Sequence, residues 1–448
     1  MDVARPLAVD AGSERRPIVE AIAASTIGTT IEWYDFFLYG TMAALVFPKL
    51  FFPEFDPFVS QILAFTTFLV GFIARPVGAV VFGHLGDRIG RKSTLVATLL
   101  LMGIATLLIG FMPGYDQIGI WAALIVSTLR FFQGMGVGGE WGGSVLLALE
   151  YGHRGRRGFL ASWPQAGVPA GLLLSTVVVA ICSALSGDQF LTWGWRVPFI
   201  LSLVLVLLGL VIRLRILETP LFQQLQAENR VARAPVLDVL KQDWRYIVLS
   251  AGARINENAV FYLFATFVVS YGTLVLGLTR EFVLMTVYVA AAIELVTIPL
   301  FGYFSDHLGR KRTYIIGTVF LALFAFPYYL LLATRTPALV LLAVVLSLAG
   351  AHALLYGVQS SLISELFRTR LRYSGASLGY QLAAPIAGGL SPIIATALLA
   401  QFNQAFWPLA AYVIGICVLS LVCVSLLPET SRRDIARDER VLIPATAE

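Results

Sequence analysis

Eight ionisable residues lie inside otherwise apolar stretches, and their side chains are the ones in this sequence that could do chemistry. They are Glu32, Asp35, Arg75, Arg130, Glu140, Arg254, Glu257 and Glu294. A charge at the centre of a lipid-facing helix costs about 2.5–3.5 kcal/mol, so all eight together would cost on the order of 20 kcal/mol or more. We therefore expect them to face a shared wet pocket or to pair with one another.

The acidic members of this set suggest a site that carries a proton. Glu32 and Asp35 are three residues apart, so they share one face of a helix. Two neighbouring carboxylates in low dielectric do not both ionise cheaply, so one should hold a proton unless an arginine neutralises it. We predict proton coupling at Asp35 or Glu32, with Asp35 favoured; the alternative is a buried ion pair with Arg75 or Arg130 that only fastens helices. Two further acidic residues are candidates for proton coupling: Glu257 and Glu140.

The basic members suit recognition of an anion. Arg130 and Arg254 lie one in each half of the chain, and an arginine fork matches a carboxylate, so the two could clamp an anion across the midline. An ion pair between Arg254 and Glu257 is the alternative. For Arg75, which precedes Pro76, we favour packing or gating. Polar and aromatic neighbours could complete the binding site, although each is by itself more typical of helix packing: Tyr34, Gln133, Trp163, Gln165, Asn256, Tyr262, Tyr356, Gln359 and Gln381.

His352 is the one histidine deep in an apolar stretch. A histidine there could relay protons. We favour the alternative, a packing residue with its hydrogen bonds satisfied.

The elements that position these residues follow from the composition. Hydrophobic residues make up 58% and charged residues 13% of the 448 positions, and the mean hydropathy is +0.80. A soluble domain would be about one quarter charged. Apolar stretches recur from end to end, and each is long enough to cross a bilayer, which takes about 20 residues. We predict an all-α membrane protein with twelve transmembrane helices, near residues 20–48, 58–84, 92–112, 119–150, 157–182, 194–216, 245–275, 280–304, 312–333, 336–366, 371–400 and 404–427.

Several other classes of protein are disfavoured. Glu32 and Asp35 interrupt the first apolar run, and no small-residue cleavage site follows. We therefore expect this run to be retained as the first transmembrane helix and not cleaved as a signal peptide. The three cysteines lack metal-ligand spacing, and we expect no cofactor other than the proton as coupling ion. No nucleophile and base are arranged as in an enzyme, so we predict that the chain is not one.

Lysine and arginine cluster in alternate connections, which indicates orientation in the membrane. Arg88, Arg91 and Lys92 lie on one side, whereas the opposite loops offer only Lys49, Arg280 and Arg335. This bias predicts that both termini are cytoplasmic, and it accounts for the net charge of +5 without a nucleic-acid partner. The longest polar connection lies near the midpoint, which predicts a cytoplasmic tail (1–19), a six-helix bundle (20–216), a cytoplasmic loop (217–244), a second six-helix bundle (245–428) and a cytoplasmic tail (429–448).

Three pairs of segments indicate that the two halves are related. Residues 83–92 read GHLGDRIGRK and residues 302–311 read GYFSDHLGRK. A weaker echo pairs 147–162 with 362–377 and aligns Glu150 with Glu365, and a third pairs LETP at 217–220 with PET at 428–430. All three offsets lie near half the chain length, as in a duplicated bundle that binds its substrate between the halves near the bilayer midplane.

Small residues recur on two of the predicted spans. Gly134, Gly138 and Gly142 are spaced every fourth residue, and Gly167 and Gly171 give the next span a similar face. In lipid, small residues let helix backbones approach closely, so these faces predict tight helix crossings.

The loop motif at 83–92 resembles the signature of the major facilitator superfamily. More narrowly, the segments at 26–40, 72–92, 129–143 and 193–199 resemble the metabolite:proton symporter family, and within it most closely the shikimate permease branch. The resemblance implies two pseudo-symmetric six-helix bundles in a bacterial inner membrane. It also implies that the loop motif is a latch stabilising the outward-open state, with these gating residues: Gly83, Asp87, Arg88, Gly90, Arg91, Asp306 and Arg310. The second copy departs from the first, with His307 where the first has Arg88.

The function that the resemblance implies is proton-driven uptake of a small organic anion or zwitterion. We predict symport by alternating access, acting as a monomer in the lipid bilayer, with a small carboxylate such as shikimate as the favoured substrate. The alternatives are a proton-coupled antiporter that exports its substrate, and a membrane sensor that binds without transport.

Overall fold

A computed structural model describes residues 11–151, 155–215 and 217–433. In these residues the chain forms helices and no strand. We number the twelve long helices α1 (Ala11–Leu45), α2 (Pro57–Ile89), α3 (Arg91–Gly110), α4 (Trp121–Glu150), α5 (Arg157–Ser186), α6 (Arg196–Arg215), α7 (Trp244–Val275), α8 (Arg280–Leu308), α9 (Arg310–Ala333), α10 (Pro337–Ser364), α11 (Thr369–Gln401) and α12 (Trp407–Leu426). Four short helices lie in the connections, at Phe47–Phe51, Tyr115–Ile118, Pro220–Ala227 and Pro235–Gln242.

The helices confirm the predicted all-α membrane class. Within the described residues, ten of them are long and apolar enough to cross a membrane, namely α2, α3 and α5 to α12. The other two, α1 and α4, contain 35 and 30 residues, but charged residues and glycines lower their average apolarity. Both lie inside the bundle, because α1 packs on α5 and α4 packs on α2 and α3. The predicted number of twelve crossings therefore depends on α1 and α4, which composition alone does not select.

Two helix pairs form the seam between the half made of α1–α6 and the half made of α7–α12. Helix α5 packs along α8, and α2 packs along α11. These pairs are equivalent, since α2 and α5 are the second and fifth helices of the first half, and α8 and α11 are the second and fifth of the other. This arrangement agrees with the duplication inferred from the sequence.

The connection between the halves is more ordered than a polar loop. The segment predicted as the central loop, 217–244, contains the helices Pro220–Ala227 and Pro235–Gln242. The second of these contacts both α2 and α11, so it lies across the seam. Proline at the first position starts each helix where its missing N–H costs nothing.

The start of α1 and the segment after α12 lie at the same end of the bundle as the loop motifs. Ala21 and Ala24 pack against Leu95 and Leu147, close to the start of α3 and the end of α4. Arg433 donates to the backbone oxygens at the end of α10, Glu365 O at 3.1 Å and Leu366 O at 2.9 Å. We call this end, which carries the basic loops, the basic end. An even number of crossings between the start of α1 and the end of α12 follows.

The predicted close helix crossings are confirmed. Gly134 and Gly138 of α4 face the backbone of α2, and Gly78 of α2 faces the carbonyl of Met135 in return. Gly167 and Gly171 of α5 lie against the backbone of α1. A Cβ at any of these positions would meet the opposing helix closer than normal van der Waals contact. The small residues therefore set the interhelical distance.

Replacing Gly138 by alanine is expected to destabilise the protein by about 1–3 kcal/mol, the usual cost of overpacking. The added methyl group would overlap the carbonyl oxygen of Arg75, which belongs to the α2 backbone and cannot give way as a side chain would. Thermal unfolding of purified protein in detergent measures the effect. Gly415→Ala in α12 is the matched control, because its added Cβ meets nothing within 4 Å; equal stability of the two variants would contradict the prediction.

Candidate functional site

A small cavity lies on the seam between the halves, with a volume of about 10 Å³, which is room for about one water molecule. Two lining residues come from the first half, Trp33 of α1 and Val168 of α5. The other seven come from the second half: Arg254, Glu257, Asn258, Phe261, His352, Tyr356 and Tyr380. Next to them, α7 and α10 contain π-helical turns at Tyr262–Phe267 and Leu346–His352, and such turns are frequent at functional sites.

Arg254 is the cation of this cavity. Its Nη1 donates to the backbone oxygen of Tyr380 at 2.7 Å, and its guanidinium carbon lies 3.4 Å from the centre of the Tyr380 ring. The Tyr380 ring in turn stacks on Trp141 of α4 with centroids 3.6 Å apart. Arg254 also pairs with Glu257, Nε to Oε2 at 3.4 Å, as the alternative prediction had it. The arginine is thus fixed in position on the seam, with one carboxylate beside it.

His352 lies between two carboxylates. Its Nδ1 is 2.7 Å from Oε1 of Glu294 in α8, and its Nε2 is 3.1 Å from Oε1 of Glu257 in α7. The favoured prediction, a histidine with its hydrogen bonds satisfied, agrees with these two contacts, but it did not name the two carboxylates. The available signal was an isolated histidine in an apolar span, but the sequence does not show that Glu257 and Glu294 lie on either side of it.

Asp35 and Arg130 belong to a chain of hydrogen bonds within the first half. Nη1 of Arg130 donates to Gln133 at 3.2 Å, Gln133 donates to the hydroxyl of Thr106 at 2.6 Å, and that hydroxyl lies 2.9 Å from Oδ2 of Asp35. Thr106 of α3 was not predicted as a site residue. The cavity lining described above includes Arg254 and not Arg130, so this structure does not bring the two arginines into one clamp.

Two arginines of the first half, Arg75 and Arg130, are surrounded by aromatic rings. The guanidinium of Arg130 lies 4.3 Å from the Tyr39 ring and 4.4 Å from the Phe36 ring, and that of Arg75 lies 4.5 Å from Phe36 and 5.2 Å from Trp33. Within the described part of the chain, Nε and Nη2 of each have no hydrogen-bond partner. Buried polar groups without partners are rare and call for an explanation such as a ligand or water.

Glu140 forms a buried ion pair with Arg213 of α6. It also accepts hydrogen bonds from Thr98 at 2.9 Å and Ser144 at 3.0 Å. A carboxylate saturated in this way is stable without a proton, so the geometry favours a structural role over the predicted role in proton coupling. Arg213 was not among the predicted residues, since it lies near the helix end in a basic segment. Glu32 lies within electrostatic reach of this pair and of Arg75.

Several predicted binding residues hold helices together away from the cavity. The Tyr34 hydroxyl donates to Pro198 O at 2.8 Å inside the first half. Asn256 bonds Thr318 at 3.1 Å and Ser420 at 3.1 Å inside the second half. Trp163 is half-buried and packs on Phe159 with ring centroids 5.9 Å apart. These contacts show a helix-packing role for Tyr34, Asn256 and Trp163, and their role in substrate binding stays a prediction.

Other predicted residues lie on the seam itself. Gln165 accepts from Trp141 of α4 at 2.8 Å and donates to Tyr356 O of α10 at 3.2 Å, and Gln381 of α11 donates to Val137 O of α4 at 3.3 Å. Tyr356 lines the cavity, and Tyr262 packs on Phe72 across the seam with ring centroids 5.2 Å apart. The polar atoms of Gln359 are buried and have no partner among the described residues.

At the basic end, the first loop motif fastens the first half to the second. The carboxylate of Asp87 accepts two hydrogen bonds from the start of α11, from Tyr373 N at 3.1 Å and Ser374 N at 2.8 Å. Arg91 donates to the backbone oxygen of Thr369 at 2.9 Å. An anion at a helix N-terminus is favoured by the helix dipole, so we call this contact the first latch. Gly83 lies against the Ser374 backbone, whereas Arg88 is exposed.

The second loop motif makes the equivalent contact in the opposite direction. Asp306 accepts from Gly158 N and Phe159 N at the start of α5, both at 2.9 Å. Arg310 pairs with Asp306 at 2.8 Å and with Glu365 at 3.4 Å. We call this the second latch. Although His307 replaces Arg88, the two latches are alike, because both of these positions are exposed and neither takes part.

The third pair of similar segments, at 217–220 and 428–430, supplies a glutamate that caps a helix at each latch. Glu218 accepts from the backbone N–H of Arg91 at 3.1 Å, and Glu429 accepts from that of Arg310 at 2.8 Å. Each glutamate lies over a glycine with positive φ, Gly90 at 113° and Gly309 at 100°. Burial by itself raises the pKa of Glu429, but hydrogen bonds from the backbone of Ser431, Arg310 and Lys311 outweigh it and lower that pKa below its ordinary value.

A helical membrane protein with a charged cavity on the seam of two equivalent halves, and with paired latches at one end, has the architecture of a secondary transporter. The chain belongs to the Major Facilitator Superfamily, whose family model matches residues 26–383 and 283–445.

Known proteins similar to this chain are transporters. It is 40% identical to the shikimate transporter of Escherichia coli (strain K12), with 92% of this chain and 95% of that protein covered. It is 38% identical to the inner membrane metabolite transport protein YhjE of the same strain, with 93% and 95% covered. Among solved structures, it resembles the proton:xylose symporter XylE bound to 6-bromo-6-deoxy-D-glucose, with a TM-score of 0.74, 20% identity, and 96% and 99% of the chains covered. The chain is thus a member of a transporter family and not an enzyme.

Proposed function

We propose that this chain is a proton-coupled symporter that takes up a small organic acid by alternating access. The observation that carries the proposal is the position of Arg254, a buried arginine in the cavity on the seam, next to one ion-pairing carboxylate. Arginine remains charged at any physiological pH and binds carboxylates through two parallel hydrogen bonds. The similarity to a shikimate transporter supports a cyclic carboxylate of that kind as the substrate.

Proton coupling is supported by the buried carboxylates, of which Asp35, Glu32 and Glu257 remain candidates. Oδ1 of Asp35 and Oε2 of both glutamates are buried and have no hydrogen-bond partner in the described ranges. An ionised carboxylate that lacks partners in a low-dielectric site gains from protonation. One proton moving with one monoanion makes the cycle electroneutral, so the pH difference and not the membrane potential would drive accumulation.

Alternating access is supported by the two latches. Both are closed in this structure, and both join one half to the other at the basic end only. We place the basic end, and with it both termini, in the cytoplasm of a bacterial cell, because basic loops remain on that side. Opening the latches would then expose the cavity to the cytoplasm. We propose twelve crossings, an inner-membrane location and a functional monomer.

Transport of labelled shikimate by purified protein in proteoliposomes tests this proposal. An acidic step outside is expected to drive accumulation of label inside, and a proton ionophore is expected to abolish it. Efflux driven by the same step would indicate an antiporter. Thermal stabilisation by shikimate without any flux would indicate a sensor, and either outcome would overturn the proposal.

A further inference from the structure

The cluster around His352 contains four buried ionisable groups from three helices of the second half. Glu257 and Arg254 come from α7, Glu294 from α8 and His352 from α10, and each is at most 2% exposed. Glu257 is shared between two partners, since its Oε1 contacts His352 at 3.1 Å and its Oε2 lies 3.4 Å from Nε of Arg254. Glu294 does not line the cavity proposed as the substrate site, and His352 lines it without a role assigned above.

The hydrogen bonds of His352 require the cluster to hold a proton. A neutral imidazole has one donor and one acceptor nitrogen, and an ionised carboxylate can only accept. Both ring nitrogens face carboxylate oxygens, so either the imidazole is doubly protonated or one carboxyl group carries a proton. In both cases the four groups sum to zero, with Arg254 at +1, two carboxylates at −1 each, and one added proton. Losing this proton would leave a net charge buried, which is costly.

Among the described residues, the charged side chains that line the cavity all belong to the cluster. Two arginines of the first half are close by, since the guanidinium of Arg75 lies 5.2 Å from the Trp33 ring, and both Arg75 and Arg130 are within electrostatic reach of Tyr262. The ionisable groups that the second half places around the cluster are tyrosines, which are uncharged at neutral pH: Tyr262, Tyr314, Tyr356 and Tyr380. The first half contributes Trp33 and Val168 to the cavity, and neither residue ionises. The charged groups in direct contact with a substrate in the cavity are therefore those of the cluster.

Glu257 is placed to compensate the charge of a bound substrate. While it is ionised, it occupies the arginine that a substrate carboxylate would use. Glu257 lines the cavity, and its Oε2 has no hydrogen-bond partner in the part of the chain that the structure describes. A proton taken up on Glu257 removes its charge and frees Arg254, and a substrate monoanion then restores neutrality. The charge balance is one proton for one monoanion.

We propose that Glu257 carries the transported proton, that His352 and Glu294 position it and set its proton affinity, and that protonation of Glu257 switches Arg254 from an internal ion pair to the substrate carboxylate. This inference rests on the proposed symport function and names the coupling site within it. His352 and Glu294 act through Glu257, so they are positioning residues.

Two transport assays in proteoliposomes separate proton coupling from substrate binding. Accumulation of labelled shikimate under a pH step needs the proton, whereas exchange of label at equal pH on both sides needs only the substrate path. Glu257→Gln mimics the protonated glutamate. It is expected to lose accumulation, with the internal-to-external ratio falling to about one, and to exchange at a rate that no longer falls at alkaline pH. His352→Gln and Glu294→Gln are expected to shift the pH midpoint of exchange.

Asp35→Asn provides the comparison with the rival carboxylate. We expect Glu257→Gln, and not Asp35→Asn, to make exchange independent of pH. Loss of accumulation in Asp35→Asn, with full pH-driven accumulation in Glu257→Gln, would overturn the inference and leave symport itself intact. If the wild-type protein moves no shikimate at all, the proposed function fails for that substrate.

Infrared difference spectroscopy decides the proton site even without flux. Spectra of the purified protein between acidic and alkaline pH are expected to show a carboxylic C=O band that titrates and that Glu257→Gln removes. His352→Gln should move the midpoint of this band. An unchanged band in Glu257→Gln would place the proton on another group and contradict the inference.

Discussion

Replacing Arg254 by glutamine is expected to weaken substrate binding by between about 30-fold and about 5,000-fold. Removing one partner of a buried, hydrogen-bonded charge pair costs about 2–5 kcal/mol, and each 1.4 kcal/mol is a factor of ten. Among the described residues, Arg254 is the only arginine or lysine that lines the cavity, so no other permanent cation lies at that position. Stabilisation of the purified protein by shikimate, measured as a function of ligand concentration, gives the affinity of each variant.

Two further variants separate loss of the arginine from the strain of an unpaired acid. Arg254→Gln alone leaves Glu257 without its cation, whereas the double variant Arg254→Gln/Glu257→Gln removes both members of this ion pair and is expected to regain stability without regaining affinity. Arg254→Lys keeps the charge but loses the planar fork, so we expect an intermediate affinity. Binding of shikimate to Arg254→Gln within a few-fold of the wild-type value would refute the role of this residue.

Replacing Asp87 by asparagine is expected to open the first latch and shift the protein toward the conformation that is open at the basic end. The carboxylate accepts two backbone N–H groups at the start of α11, and an amide side chain can accept only at its oxygen. A hydrogen bond to a charged group contributes about 1.5–3 kcal/mol, so losing one changes the equilibrium between the conformations by about 10-fold to about 150-fold.

A cysteine at Ser377, in a variant that lacks the three native cysteines, reports this opening. Ser377 is fully buried on the seam, where it lies against Gly142, so its reaction with a soluble maleimide requires the halves to separate. We expect Asp87→Asn to accelerate the reaction by the same factor, and Asp306→Asn to act alike through the second latch. Glu54→Gln is the control, because it makes the same change from carboxylate to amide at the opposite end, where Glu54 accepts a hydrogen bond of 2.8 Å from the Tyr115 hydroxyl. Equal rates in Asp87→Asn and Glu54→Gln would show that the latch does not control opening.

Much of the architecture was predictable because a helix that crosses the hydrocarbon core of a membrane must be long and apolar. Length and apolarity mark the helices, and the glycine spacing on α4 and α5 has few uses in lipid other than close packing. The repeated loop motif and the weak echo at Glu218 and Glu429 were predicted as traces of duplication. The structure adds that these glutamates cap α3 and α9. Three or four matching residues in the sequence do not reveal that role.

The site was predictable only in part. The free-energy cost of burying a charge identified Arg254, Glu257 and Asp35 as candidate functional residues. It did not show which of them contact one another in the folded protein. Glu140, like Glu257, is an acidic residue within an apolar span. In the structure, Glu140 forms an ion pair with Arg213, whereas Glu257 contacts both His352 and Arg254.

The sequence by itself determined the class of protein, the helices, the internal duplication and the family, because each depends on residue types and spacings along one segment. Only the tertiary structure decided that Arg254, Glu257, Glu294 and His352 converge while Arg130 and Asp35 form a separate chain. A partner in a membrane bundle is chosen by which face of a distant helix lies opposite, and a helix buried on several sides leaves no periodic pattern from which that face can be inferred.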